Sequence, residues 1–248
     1  MNTAGDGQQI AIIKDKKTVK LYVTDEDEER AGVKFFNKLD LKGDQKFEVV
    51  PDPKKDRTSI FIVGRNGSGK SYWISDYVKH FIKAFPKYQI RLFSSKDTDD
   101  QLDSIKQIKR VKIDNSFITD PLDYKDLEES LVIFDDIDGF RNLIRKELYH
   151  LRDIILKNGR SLHIHIISTN HDSVGRDVQA PLNESDMIVF FLRNYNRSMR
   201  YLLENYIGLE HDQAKILRKN KSRATTYIKT YPNVIIQERN AYLLDAIE

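Results

Sequence analysis

The chain has 248 residues, 32% of them charged, with a formal net charge of +3 and a pI near 8.8. That length fits one large domain, or a domain with an extension, and a core of that size needs no covalent staples. With no cysteine, a disulfide framework, a thiolate metal site and a cysteine nucleophile are excluded. The weak basicity does not by itself announce a nucleic-acid binder. No apolar run approaches the roughly 20 residues of a membrane span. The opening MNTAGDGQQ lacks the charged-then-apolar layout of a signal peptide, so a soluble, intracellular protein without a membrane span is expected.

In chain order, residues 1–9 read as a frayed tail. Ile10-Ala11-Ile12-Ile13 and Val19-Lys20-Leu21-Tyr22-Val23, split by Asp15-Lys16-Lys17, read as a β-hairpin. Residues 25–30 form a charge run, read as a solvated loop or helix start. Residues 47–50 read as another strand and residues 51–57 as a linker. These segments make residues 1–56 a β-rich N-terminal extension, and residues 57–248 the main domain.

The main domain opens on Ser59-Ile60-Phe61-Ile62-Val63, a short apolar run that reads as a buried strand. Gly64-Arg65-Asn66-Gly67-Ser68-Gly69-Lys70-Ser71 follows and matches the P-loop pattern without deviation. Its glycines let successive backbone N–H groups turn inward around phosphate oxygens. The next helix points its positive N-terminus at the same anion. Lys70 is placed for the β- and γ-phosphates and Ser71 for Mg²⁺. Residues 72–85, from Tyr72 onward, carry apolar residues at helical spacing and stop before Pro86. Residues 64–72 are therefore the expected ATP-binding segment.

Strands and helices then alternate, the signature of a mainly parallel, covered sheet. Strands are expected at residues 89–94, 111–114 and 131–134, the last ending in Asp135-Asp136. A helix is expected over residues 141–157, closed by Asn158-Gly159 as a C-cap. Residues 162–167 read as a strand ending in Ser168-Thr169-Asn170, and residues 187–192 as the next. Helices near 197–206 and 211–219 precede a terminal β-hairpin of residues 224–230 and 234–237, split by Pro232-Asn233. His163 and His165 alternate with apolar residues, which sets both on one strand face under a helix and not at a zinc-type spacing.

Four apolar residues ending in Asp135-Asp136 make a Walker B strand. The first acid is the expected Mg²⁺ partner, and the second is placed to take a proton from an attacking water. Asn170, at the end of the following strand, is the candidate sensor of the γ-phosphate or of the water. Asn37-Lys38-Leu39-Asp40 fits the guanine-recognition pattern of GTPases but precedes the P-loop, the wrong order, and is read as coincidence. Two glycosylation sequons, at Asn66 and Asn196, are discounted, because the first lies in the phosphate loop and nothing suggests secretion.

The order of these parts, with Gly159-Arg160-Ser161-Leu162-His163-Ile164 before the sensor strand, resembles the FtsK–HerA superfamily. It is most similar to the DNA-packaging ATPases of poxviruses, other large nucleocytoplasmic DNA viruses and virophages. The resemblance covers about residues 57–230. It implies an ASCE/RecA-like P-loop fold, ATP and Mg²⁺ as cofactors, and a homo-oligomeric ring that threads double-stranded DNA without reading its sequence. It also implies a capsid or portal-vertex partner, and a place in the host cytoplasm, at the virus assembly site or in the virion. It assigns phosphate binding to Gly64, Gly67, Gly69 and Lys70, Mg²⁺ to Ser71 and Asp135, water activation to Asp136 and sensing to Asn170. Many family members carry Gln at the sensor and Glu as the second acid, each one methylene longer. Arg160 is the first choice for an arginine supplied to a neighbouring subunit, with Arg193, Arg197 and Arg200 as alternatives. Lys215, Arg218, Lys219, Lys221 and Arg223 form the densest basic cluster and are the candidate DNA contact. Two other readings stay open: a small-molecule or nucleoside kinase, and a scaffold that binds ATP without turnover.

Overall fold

The computed structural model describes residues 1–5, 7–15, 17–24, 37–230 and 232–244. The charge run at residues 25–30 lies outside them. In chain order the strands are β1 (Gln8–Lys14), β2 (Val19–Val23), β3 (Asn37–Asp40), β4 (Lys46–Val49), β5 (Ser59–Val63), β6 (Gln89–Ser94), β7 (Ile108–Arg110), β8 (Ser130–Asp135), β9 (His165–Asn170), β10 (Met187–Phe190), β11 (Thr225–Ile228), β12 (Asn233–Gln237) and β13 (Asn240–Leu244). The helices are α1 (Lys70–Ala84), α2 (Asp100–Asp103), α3 (Ser116–Thr119), α4 (Asn142–Asn158), α5 (Gln179–Glu184), α6 (Arg197–Arg200) and α7 (His211–Lys219). The chain divides into two compact units, Pro53–Ser185 and Met1–Asp52 with Asp186–Glu248.

In the unit Pro53–Ser185 the strands lie in the order β5-β9-β8-β6-β7, all parallel. Residues of β5 and β8 are buried throughout, which explains their unbroken apolar runs: strands covered on both faces lose the alternation of a half-exposed sheet. One side packs against α4 through Val132, Phe134, Ile166, Leu148 and Ile155. α1 buries Ile74, Tyr77, Val78 and Phe81. Phe81 and Phe85 pack on His165, whose Nδ1 accepts from the Thr58 N–H at 3.1 Å.

His165 is therefore a core residue under a helix, as its position in an apolar strand predicts. His163 is not its strand mate; it stands before β9 in a left-handed turn (φ 52°). The strand expected at residues 111–114 is displaced to β7. Ile108, Lys109 and Arg110 pair with Ile90, Arg91 and Leu92, and β7 is an edge strand, where charged side chains reach solvent. Gly159 follows α4 as expected, but with φ −70° and not the left-handed geometry of a C-cap glycine. It is needed for space: a Cβ there would stand 2.7 Å from the Ile155 carbonyl and 3.3 Å from Ile164 Cβ. The Arg57 guanidinium donates to the Ile155 and Leu156 carbonyls at the same helix end (3.1 and 2.9 Å).

The second unit is antiparallel. β1 pairs with β2, as the hairpin reading requires, and also with β4. Asn2 exchanges two 2.9 Å backbone hydrogen bonds with Tyr22, so the tail is tied down before β1 begins. The expected terminal hairpin is β11 and β12, and it extends through β13 to β3 and on the other side to β10. The GTPase-like tetrapeptide is β3 itself, an edge strand with a 2.7 Å Lys38–Asp40 ion pair. The helix expected at 197–206 is α6 continued by a π-helical turn over Tyr201–Tyr206. Among the described residues no helix is long and apolar enough to cross a membrane.

Candidate nucleotide site

Parallel pairing sets one edge of the first unit. Val63 lies opposite Asn170, Ser94 opposite Asp135, and Phe134 opposite Ser168. The segments that leave these strands therefore emerge side by side at their C-terminal ends, the position at which open α/β sheets place their ligands.

The segment after β5 is the glycine loop. Gly67 (φ 71°) and Gly69 (φ 109°) adopt left-handed backbone that a side chain would strain. Arg65 and Asn66 are exposed, and Ser68 and Ser71 are half-buried. Gly69 is the N-cap of α1 and makes no side-chain cap bond, so the first-turn N–H groups that lack intrahelical acceptors point out of the helix end. Gly64 N–H donates to the Asn170 carbonyl at 3.0 Å, tying the loop to β9. Tyr72, on the first turn of α1, is exposed.

Lys70 is buried. Its ammonium donates to the Gly64 carbonyl at 2.8 Å and lies 3.2 Å from Asp136 Oδ1. Asp135 and Asp136 are both buried, and Asp136 adopts a left-handed backbone (φ 48°) that turns it out of β8. The Thr169 hydroxyl stands between them: it accepts from Asp136 N–H at 3.0 Å and lies 3.2 Å from Asp135 Oδ1 and 3.3 Å from Asp136 Oδ1. Strand alternation turns Asn170 to the opposite face from Thr169, and its Oδ1 is buried without a hydrogen bond. His171 returns to the Thr169 face. Its Nδ1 is 3.5 Å from Lys70 Nζ, and its Nε2 is 3.6 Å from Asp136 and 3.8 Å from Asp138.

Lys96, just past β6, completes the ring of charge, 2.6 Å from Asp136 Oδ2 and 3.6 Å from Asp135 Oδ2. Burial opposes the charge on Asp136, but Lys96, Lys70 and His171 outweigh it and hold that carboxyl below the usual carboxylate range. Burial, and then the neighbouring Asp136, push the Asp135 carboxyl up, against Lys96, Lys70 and Thr169. The adjacent acids are thus driven apart, with the charged form favoured at Asp136 and disfavoured at Asp135. Asp135 Oδ2, buried without a hydrogen bond and with Lys96 3.6 Å away, is a donor atom suited to a hard divalent ion, and Ser71 supplies a hydroxyl.

Lys96, His171 and Thr169 carry no motif of their own. The one signal open to sequence reasoning is that each lies at or just beyond the end of an apolar strand. Arg160 is exposed, in the turn before β9, and so stands at the end of that strand away from the glycine loop. In the other unit, Arg193 and Arg197 are exposed and Arg200 pairs with Glu204 at 2.8 Å. There too, Lys215, Arg218, Lys219, Lys221 and Arg223 are all exposed, and the Arg218 guanidinium lies 3.9 Å over the Tyr195 ring.

No protein-family model matches the chain. The uncharacterized protein V3 of Sputnik virophage is 34% identical to it over 232 residues, which cover 92% of this chain and 91% of that protein. Among solved structures, the cytoplasmic domain of the type VII secretion ATPase EccC of Thermomonospora curvata is similar with a TM-score of 0.53 at 11% identity, over 85% of this chain and 29% of that one. B204, the DNA-packaging ATPase from Sulfolobus turreted icosahedral virus, gives a TM-score of 0.49 at 18% identity, over 74% of this chain and 98% of that one. The chain has a P-loop NTPase fold, and it belongs to the family of the Sputnik virophage V3 protein.

Proposed function

We propose that the protein hydrolyses ATP and uses the cycle to translocate double-stranded DNA into a viral capsid, acting as an oligomeric ring. The observation that carries the reading is the 3.2 Å pairing of buried Lys70 with buried Asp136 at the mouth of the glycine loop. A phosphate-binding cation and a carboxylate held ionised then meet where a γ-phosphate and its attacking water would lie.

In this reading residues 64–72 cradle the triphosphate, with Lys70 moving from the Gly64 carbonyl onto the phosphates. Mg²⁺ would be held by Ser71 and Asp135 and would spread the charge that builds on the phosphate oxygens. Asp136 takes the proton of the attacking water. Asn170 and His171 are the two candidates for sensing the γ-phosphate, and the contacts of His171 with Lys70 and Asp136 favour it. Arg160 serves a neighbouring subunit, because it lies at the far end of β9 from its own loop. The exposed cluster from Lys215 to Arg223 supplies sequence-independent contact to DNA phosphates. The reading carries a capsid or portal partner and a setting at a virus assembly site.

The assay is ATP turnover with mass in solution. Lys70→Ala is expected to remain folded and to lose hydrolysis by about 10²-fold or more. Turnover at the wild-type rate in that variant would refute the site. Phosphate transfer to a nucleoside, without release to water, would instead establish a kinase.

A further inference from the structure

Lys96 meets both acids of the site through a segment that is built to hold it there. Its N–H donates to Ser94 Oγ at 3.2 Å, and its carbonyl accepts from Arg110 Nη1 at 2.7 Å. Arg110 is itself fixed by a 2.7 Å ion pair to Asp103. Ser95 Oγ donates to the Asp136 carbonyl at 2.6 Å, which ties the turn after β6 to the turn after β8. Further along the same loop, Asp99 Oδ2 accepts from Ser71 Oγ at 2.7 Å, while Asp99 Oδ1 accepts from Gln101 and Leu102 N–H at the start of α2. One loop therefore grips the Ser71 hydroxyl with one end and the acid pair with the other.

We propose that Lys96 is a positioning residue that competes with the divalent cation for Asp135 and Asp136, so that the site admits a metal already carried on a nucleotide and rejects the free ion. The inference rests on the nucleotide-site reading above. An ammonium 2.6 Å from one carboxylate and 3.6 Å from the other cancels part of the charge that a metal needs, and it repels a second cation nearby. A metal enters by displacing it. The Lys96 side chain is 40% exposed, on a flexible stem, so it has a path into solvent. A triphosphate adds negative charge beside the acids and tips the competition toward the metal. Asp99 acts in the same sense, since Ser71 must exchange its carboxylate partner to bind the ion.

The test uses Mn²⁺ as the probe, with bound ion measured by electron paramagnetic resonance on the full chain. Wild type is compared with Lys96→Gln, Lys96→Met and Lys96→Arg, with and without a non-hydrolysable ATP analogue. Without analogue, both neutral variants are expected to bind Mn²⁺ at least about five-fold more tightly than wild type, while Lys96→Arg stays near wild type. The difference narrows when analogue is present. Mn²⁺ affinity that is unchanged or weaker in the neutral variants overturns the proposal. So does a loss of analogue affinity with Mn²⁺ affinity unchanged, which would make Lys96 a phosphate contact. Thermal melts confirm that each variant is folded. A wild-type chain that binds no analogue refutes the nucleotide reading, while the analogue-free Mn²⁺ comparison still judges Lys96.

Discussion

Buried polar groups are treated differently in the two units. In the unit that contains β12, Gln237 is buried and satisfied: Nε2 donates to the Leu217 carbonyl and Thr225 Oγ1 (3.0 and 2.9 Å), and Oε1 accepts from Asn220 at 2.6 Å. Asn220 Nδ2 also donates to the Tyr242 hydroxyl, so one network joins α7's end to three strands. In the unit Pro53–Ser185, the ends of β8 and β9 bury Asp135 Oδ2, Ser168 Oγ and Asn170 Oδ1 without hydrogen bonds. Two adjacent acids share that space, one of them in left-handed backbone. Unsatisfied buried groups cost stability, and a chain keeps them where they serve chemistry. The parallel unit leaves buried polar atoms without hydrogen bonds at the sheet edge that carries the acid pair, and also elsewhere, as at Arg91 Nε, Arg152 Nη1 and Ser185 Oγ.

This contrast is sharpened first by turnover. Arg160→Ala is expected to lose about 10³-fold of its ATP hydrolysis as a homomer, and to regain activity when mixed with Lys70→Ala chains that donate Arg160. No rescue in the mixture would remove Arg160 as the group given to a neighbour. Asp136→Asn comes next, with turnover down by about 10²-fold or more while nucleotide affinity persists. A variant that hydrolyses normally would break the assignment of the proton acceptor.

Smaller effects fall on stability and have opposite signs in the two units. Gln237→Ala removes the amide that serves the Leu217 carbonyl and Thr225 Oγ1, leaves Asn220 with the Tyr242 hydroxyl alone, and should cost about 1–3 kcal/mol in denaturant unfolding. Asp135→Asn should do the reverse, raising stability at neutral pH while abolishing hydrolysis. A carboxyl whose folded pKa lies above its unfolded value favours the fold only when protonated, so its charge at neutral pH is a cost that Asn removes. The gain should shrink as pH falls toward the ordinary carboxylate value, where Asp135 is itself neutral. A destabilised Asp135→Asn chain would mean that the acid pair supports the fold.

What the sequence discloses follows the same division. The glycine loop, β5 and the helix after it are legible because phosphate binding needs fixed backbone geometry at fixed spacing. The acid pair is legible because it ends an apolar run. Lys96 and His171 are not, because their place in the site comes from the register of β6, β8 and β9, a long-range property. Gly159 is legible as the end of α4, but its cause is crowding by Ile155 and Ile164, which local pattern does not carry. The pairing of β3 with β13 joins residues some two hundred positions apart, and nothing local announces it.

The central claim is tested most directly by the rate of ATP hydrolysis of the assembled wild-type protein with and without double-stranded DNA of unrelated sequences. The account predicts a rise in rate with duplex DNA, whatever its sequence, that weakens as salt is raised. A rate indifferent to DNA, or one that rises only when a nucleoside acceptor is supplied, would contradict it.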